Sequence, residues 1–230
     1  PYEHDAHPYY KAQGKIKALD TLRFSLTTHR GCYGECNFCS IAVHQGTTVR
    51  SRSEASLLAE AARMTQLPGF KGYLQDVGGA TANMYEIECP RKKKQGACRN
   101  KRCLFPEICR NLPVDHHHQI GLLTRLAALP GIKKVFVASG IRHDLVLADK
   151  AHGEQYLRCL VESHISGQLK IAPEHSEDTV LSLMGKPVAR TLTAFINLFY
   201  RLAAGTRLFL TYYFMAAHPG CRLVEMLALK

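Results

Sequence analysis

The chain has 230 residues, 46% of them hydrophobic, with a net charge of +11 and nine cysteines. That length and apolar content exclude a disordered chain and allow one sizeable core, while no run of 18 uncharged apolar residues exists to span a bilayer. The positive balance biases the protein toward anionic partners. An odd cysteine count, with seven of the nine between Cys32 and Cys109, favours metal ligation in a reducing, cytoplasmic setting over a disulfide framework.

Residues 1–21 lack a period and read as an extended lead-in, with no secretion signal at their start. Leu22 to Thr28 is expected to be a strand with Leu22, Phe24 and Leu26 on one face. The loop after it holds Cys32, Cys36 and Cys39. Glu54 to Met64 has helical spacing behind a Ser53 cap, and Gly72 to Val77 should be the second strand. Between Gly78 and Pro113 the periodicity fails, and residues 85–113 are expected to form a cysteine-rich basic insertion. A helix follows through Ile120, Leu122, Leu123, Leu126 and Leu129 with Asp115 as cap, then a strand from Lys133 to Ala138. His116, His117 and His118 read as surface residues at that helix start. The pattern continues with a helix over His152 to His164, a strand over Leu169 to Ala172, helices over Glu177 to Met184 and Leu192 to Ala204, a strand over Arg207 to Ala217 buried on both sides, and a final helix from Leu223.

These are about five strand-plus-helix units, joined by crossovers and so expected to be parallel. An α/β partial barrel fits better than an eightfold one, which usually needs about 250 residues. Active groups belong at the C-terminal ends of such strands, and the chemistry-bearing residues fall there. They are the cysteine loop, Gly78-Gly79, Ser139 to Arg142 with Asp144, Glu174-His175 flanked by Lys170, and His218-Pro219-Gly220.

Three thiols within eight residues can grip zinc or an iron-sulfur cluster, one ligand short of a full set for either. A zinc knuckle completed by His29 or His44 is one reading. The other is a cubane with three irons held and the fourth free for a reactant. Cys89, Cys98, Cys103 and Cys109 make a four-ligand group, enough for tetrahedral zinc or a second, closed iron-sulfur cluster. Around them Arg91, Lys92, Lys93, Lys94, Arg99, Lys101, Arg102 and Arg110 outnumber Glu86, Glu88 and Glu107 by five, a charge suited to RNA phosphates or an acidic electron donor.

The Cys32-Cys36-Cys39 spacing, with Phe38 before the last cysteine, resembles the signature of the radical S-adenosylmethionine superfamily. The segments RFSLTTHRGCYGECNFCSIAVHQGTTVRSRSE at 23–54, LQDVGGATANMY at 74–85 and QLKIAPEH at 168–175 resemble its YgiQ-like members. The resemblance covers residues 20 to 230 and implies a partial parallel barrel of six strands, of which five are visible in a core over 22–230 whose sixth lies beyond Lys230. It also implies a 4Fe-4S cluster on Cys32, Cys36 and Cys39, supplied by an electron donor. That cluster would cleave S-adenosylmethionine to a 5'-deoxyadenosyl radical, which abstracts hydrogen from an unknown substrate. Phe38, Gly78, Gly79, Arg142, Glu174, His218, Pro219 and Gly220 would then contact the cofactor, with Glu174 on its ribose and Arg142 on its carboxylate. The superfamily's acidic residue after the glycine pair is Ala80 here. An RNA-modifying radical enzyme and a zinc-stabilised, non-enzymatic nucleic-acid-binding module are the alternative functions.

Overall fold

The structure, a computed structural model, describes Tyr9, Ala12, Gly14 and residues 16–229. The rest of the lead-in lies outside the described residues. In chain order the elements are α1 (Leu19–Leu22), β1 (Ser25–Thr27), β2 (His29–Arg30), α2 (Ile41–Gln45), β3 (Arg50–Ser51), α3 (Glu54–Met64), β4 (Tyr73–Leu74) and β5 (Asp76–Gly78). They continue with α4 (Pro90–Gln95), α5 (His117–Ala127), β6 (Lys134–Val135), α6 (His143–Ala148), α7 (Gly153–Cys159), β7 (Gln168–Glu174), α8 (Asp178–Met184), α9 (Ala189–Leu202), β8 (Phe209–Phe214) and α10 (Leu223–Ala228).

Parallel ladders join β1 to β5, β4 to β6 and β7 to β8. The Val77 amide donates to the Phe136 carbonyl at 2.9 Å, extending the middle ladder, and a parallel bridge from Ile141 to Ile171 carries the sheet on to β7. The five expected strands therefore stand side by side in sequence order, and their parallel pairing is what repeated crossovers require. Two expectations change. The count among the described residues is eight short strands, and β2 pairs with β3 antiparallel, because the thiol loop folds back on itself instead of crossing over.

Helices cover the sheet through apolar stripes at helical spacing: Leu57, Ala61 and Met64 on α3, Leu122 and Leu126 on α5, Tyr156 and Leu157 on α7, Phe195 and Phe199 on α9. They meet Leu26, Leu74, Val77, Val135, Leu169 and Ile171 from the strands in one core, where each large buried side chain contributes about 1.5–3 kcal/mol relative to exposure. A smaller core joins Tyr33 of the thiol loop to Met84, Ile87, Cys89, Cys103, Leu104 and Leu112.

Three further expectations are corrected, and one helix was not expected at all. Leu22 lies in α1 and is exposed, so the first strand starts later. β8 is buried on one side only: Leu210 faces the core, but Phe209, Tyr213 and Phe214 are exposed because no described element covers them. His116 is fully buried, stacked on Tyr156 and bonded through Nδ1 to Asp149 at 2.8 Å, whereas His117 and His118 are exposed. α6 follows the third strand unforeseen, since its six residues are too few to show a period. Among the described residues no helix is long and apolar enough to cross a membrane.

Candidate functional site

The thiol loop is held from three sides. Gly31 has φ +90°, and a Cβ there would sit 2.3 Å from the Thr48 carbonyl oxygen, so the turn into Cys32 accepts only glycine. The Cys39 amide closes a turn on the Cys36 carbonyl at 3.0 Å. Asn37 ties the loop to the end of α8, its backbone amide donating to Met184 and its side chain to Leu183. Within the loop the Gly34 amide donates to Cys32 Sγ at 3.3 Å. A Cβ on Gly34 would lie 3.3 Å from Cys32 Sγ, 3.4 Å from Cys36 Sγ and 3.0 Å from Arg142 Nη1, so two thiols and one cation converge on that residue.

All three cysteines line a cleft of about 780 Å³ at the C-terminal ends of the strands. Phe38, Gly79, Arg142 and Glu174 line it too. Gly78 does not, but a Cβ on it would press Ala82 at 3.1 Å. A Cβ on Gly79 would fall 2.7 Å from the His29 ring. That ring is fixed, with Nδ1 bonded to the Thr28 hydroxyl and Nε2 to the Thr81 carbonyl, so His29 does not serve the cysteines. His218, Pro219 and Gly220 stand behind the cleft. The His218 ring meets Phe38 edge-on at 6.2 Å, and Gly220, at φ +87°, packs under Leu183.

Charge is concentrated at the thiols. Buried Arg142 gives Nε and Nη2 to both oxygens of buried Asp144, and its Nη1 points at Cys36 Sγ, 3.8 Å away. Burial alone would weaken both charges, but each is the other's partner, so the Arg142 pKa rises and that of Asp144 falls. Sequence reasoning missed Lys186, a buried cation on the cleft wall that donates to the Ala172 carbonyl at 2.5 Å. Burial and the Arg142 charge lower its pKa. Its only sequence signal is its place directly after Gly185, the left-handed residue ending α8. Glu174 also lines the cleft at φ +73°, and burial raises its carboxyl pKa. Asp76 accepts from the Ala138 and Ser139 amides, pinning the third strand's end.

The four later cysteines line a separate small cavity. His175 accepts from the Glu177 amide at 3.1 Å through Nδ1, and its Nε2 lies 3.6 Å from Cys221 Sγ, a partner that the sequence did not reveal. Asp115, Asp149 and His152 bring ligand atoms within 4.8 Å of one another, a group able to hold a metal ion. Asp149 and Asp115 there already bind His116, the His117 amide and His152, and none of the three lines the cleft.

No protein-family model matches the chain. It is 52% identical over its whole length to the UPF0313 protein FN0734 of Fusobacterium nucleatum subsp. nucleatum, and spans 41% of that protein. It is 46% identical to UPF0313 proteins of Clostridium perfringens strain 13 and Clostridium botulinum strain Okra, spanning 35% and 34% of their lengths. The chain thus spans less than half of these relatives. Among solved structures it is similar to the cobalamin-dependent S-adenosylmethionine radical enzyme OxsB, with a TM-score of 0.58 at 15% identity, covering 89% of this chain and 25% of that one. The α/β arrangement of parallel strands is therefore similar to part of the fold of that enzyme.

Proposed function

We propose that this chain is the core of a radical S-adenosylmethionine enzyme of the YgiQ-like type. Its 4Fe-4S cluster would be held by Cys32, Cys36 and Cys39. One observation carries the reading: three thiols, a close-approach glycine, a buried arginine and a half-buried glutamate share one cleft at the strand ends of this fold. The residues fit the group. Three sulfur donors leave one iron free, and the flanking cations Arg142 and Lys186 favour an anionic cluster. When bound, the cluster supplies the electron that cleaves S-adenosylmethionine to methionine and a 5'-deoxyadenosyl radical.

The chain's own residues bind and orient. Gly79 lets backbone approach the cofactor. Glu174 accepts hydrogen bonds from the ribose hydroxyls. Arg142 has a narrower role than a two-pronged clamp on the carboxylate, because Asp144 already occupies Nε and Nη2. Its remaining Nη1 steadies charge at Cys36. Phe38 forms an apolar wall, supported by the His218-Pro219-Gly220 turn behind it. All nine cysteines are free, in keeping with a reducing compartment such as the cytoplasm; an external donor provides the electrons.

The substrate is not assigned, and an RNA-modifying enzyme is the alternative reading that the exposed charge supports. Arg91, Lys93, Lys94, Arg99, Lys101 and Arg110 are all exposed on the cysteine-rich segment. Binding through them would weaken steeply with salt.

Anaerobic reconstitution followed by reduction in the presence of S-adenosylmethionine tests the function. The expected result is 5'-deoxyadenosine formation that Cys36→Ala abolishes. Zinc bound without iron, or cleavage retained in Cys36→Ala, would sink the reading.

A further inference from the structure

We propose that Cys89, Cys98, Cys103 and Cys109 hold a second iron-sulfur cluster, fully ligated, that fastens residues 85–113 against the first thiol loop. Intervals of nine, five and six positions do not by themselves bring four side chains to one place, yet all four line a single cavity of about 20 Å³. Cys89 and Cys103 are buried there with Leu104 and Leu112. The segment's regular structure is slight, its helix α4 being six residues long. A metal centre gives such a stretch the ordering energy that its few apolar contacts lack.

The spacing favours a polynuclear centre over a single ion. Around one zinc ion, at Zn–S of about 2.3 Å, all four sulfurs would lie within about 4.6 Å of one another. Among the described residues no three of these four sulfurs lie within 4.8 Å of one another. A polynuclear cluster places each thiolate on its own iron and so holds the sulfurs farther apart. With four cysteines no iron is left open, in contrast to the first loop.

The charge matches. Four thiolates around a cluster form an anionic unit, and Lys92, Lys101 and Arg102 line the cavity. Lys92 is buried, donates to the Thr47 carbonyl at 2.6 Å, and lies 4.0 Å from Glu35 and 5.3 Å from the Tyr33 ring centre. The Cys89 amide donates to the Tyr33 hydroxyl at 3.0 Å, and Tyr33 stands between Cys32 and Gly34. Anything that fixes Cys89 therefore steadies the neighbour of the first cluster's ligand.

The test is metal and sulfide analysis after anaerobic reconstitution, with a C32A/C36A/C39A variant beside the unmodified chain. About eight iron and eight sulfide are expected in the unmodified chain and about four of each in the variant, with a reduced-state paramagnetic signal surviving in the latter. Cys98→Ser with Cys109→Ser, both half-exposed positions, should bring the unmodified chain down to about four even if the triple variant does not fold. Iron lost entirely in a folded triple variant, or zinc retained there instead, would overturn the proposal. Failure of the first-loop assignment looks different: equal iron in the unmodified chain and the triple variant, lost on changing Cys98 and Cys109.

Discussion

Asp144 grips Arg142 by both carboxylate oxygens, leaving only Nη1 of the guanidinium to face Cys36. Both residues are buried, so removing one partner strands the other's charge in the interior. Asp144→Ala should cost about 3–5 kcal/mol in urea unfolding, and Arg142→Met with Asp144→Leu should cost less than Asp144→Ala alone. A double variant as unstable as the single one would show that lost packing, and not a stranded charge, causes the destabilisation.

Gly79 and His29 compete for the same space. The Cβ of Gly79→Ala would meet three ring atoms at 2.7 to 2.9 Å, and the ring cannot turn without giving up Thr28 or Thr81. A loss of about 1–3 kcal/mol is expected. In a His29→Ala background the same substitution should be nearly neutral by thermal denaturation, which distinguishes the clash from a general intolerance of the strand end.

Two buried histidines make stability depend on pH. Burial pushes both His29 and His143 down to about 4, against the opposing Thr81 carbonyl and Asp144 carboxylate respectively. The unfolded chain takes the proton near 6.5 while the folded chain refuses it until about 4. The unfolded state thus binds more protons in that window, and stability is full above it and falls as pH drops through it. Each histidine should account for roughly 3 kcal/mol across the window. Urea unfolding from pH 7 to pH 4 should show the slope, and His143→Phe, which replaces the imidazole that faces Phe195 with another ring, should reduce it by about half, the His29 share remaining.

Tyr33 links the two cysteine groups. Tyr33→Phe leaves the buried Cys89 amide without its acceptor, at a cost of about 1–3 kcal/mol. Amide hydrogen exchange at Cys89 should quicken, with the α3 amides unchanged.

The repeating strand-helix units were legible because burial imposes a period. α3 runs Glu54–Met64 with the Ser53 hydroxyl accepting from the Ser56 amide, as its spacing and cap predicted, and β7 contains the expected Leu169 to Ala172. Where period was absent or misleading, reading failed. β8 has an apolar sequence but an uncovered face, and burial depends on which element lies opposite. His116 looked like one of three surface histidines because a triplet does not reveal that only its first member meets Asp149. Lys92 counted among the charges of the basic segment and Lys186 carried no expectation, yet both are buried, their ammonium groups reaching the Thr47 and Ala172 carbonyls.

The sequence by itself determined the donor chemistry: three thiols in one short loop, four more downstream, and the order of strands whose ends carry polar groups. Local spacing records these because loop ligands and helix faces are short-range features. Only the tertiary structure decided which of these groups meet. It brought Arg142 and Lys186 to the thiols, left His218 behind Phe38, and drew the four scattered cysteines to one cavity beside Tyr33. Those contacts join residues far apart in the chain, and crossovers and packing, which no local period encodes, place them.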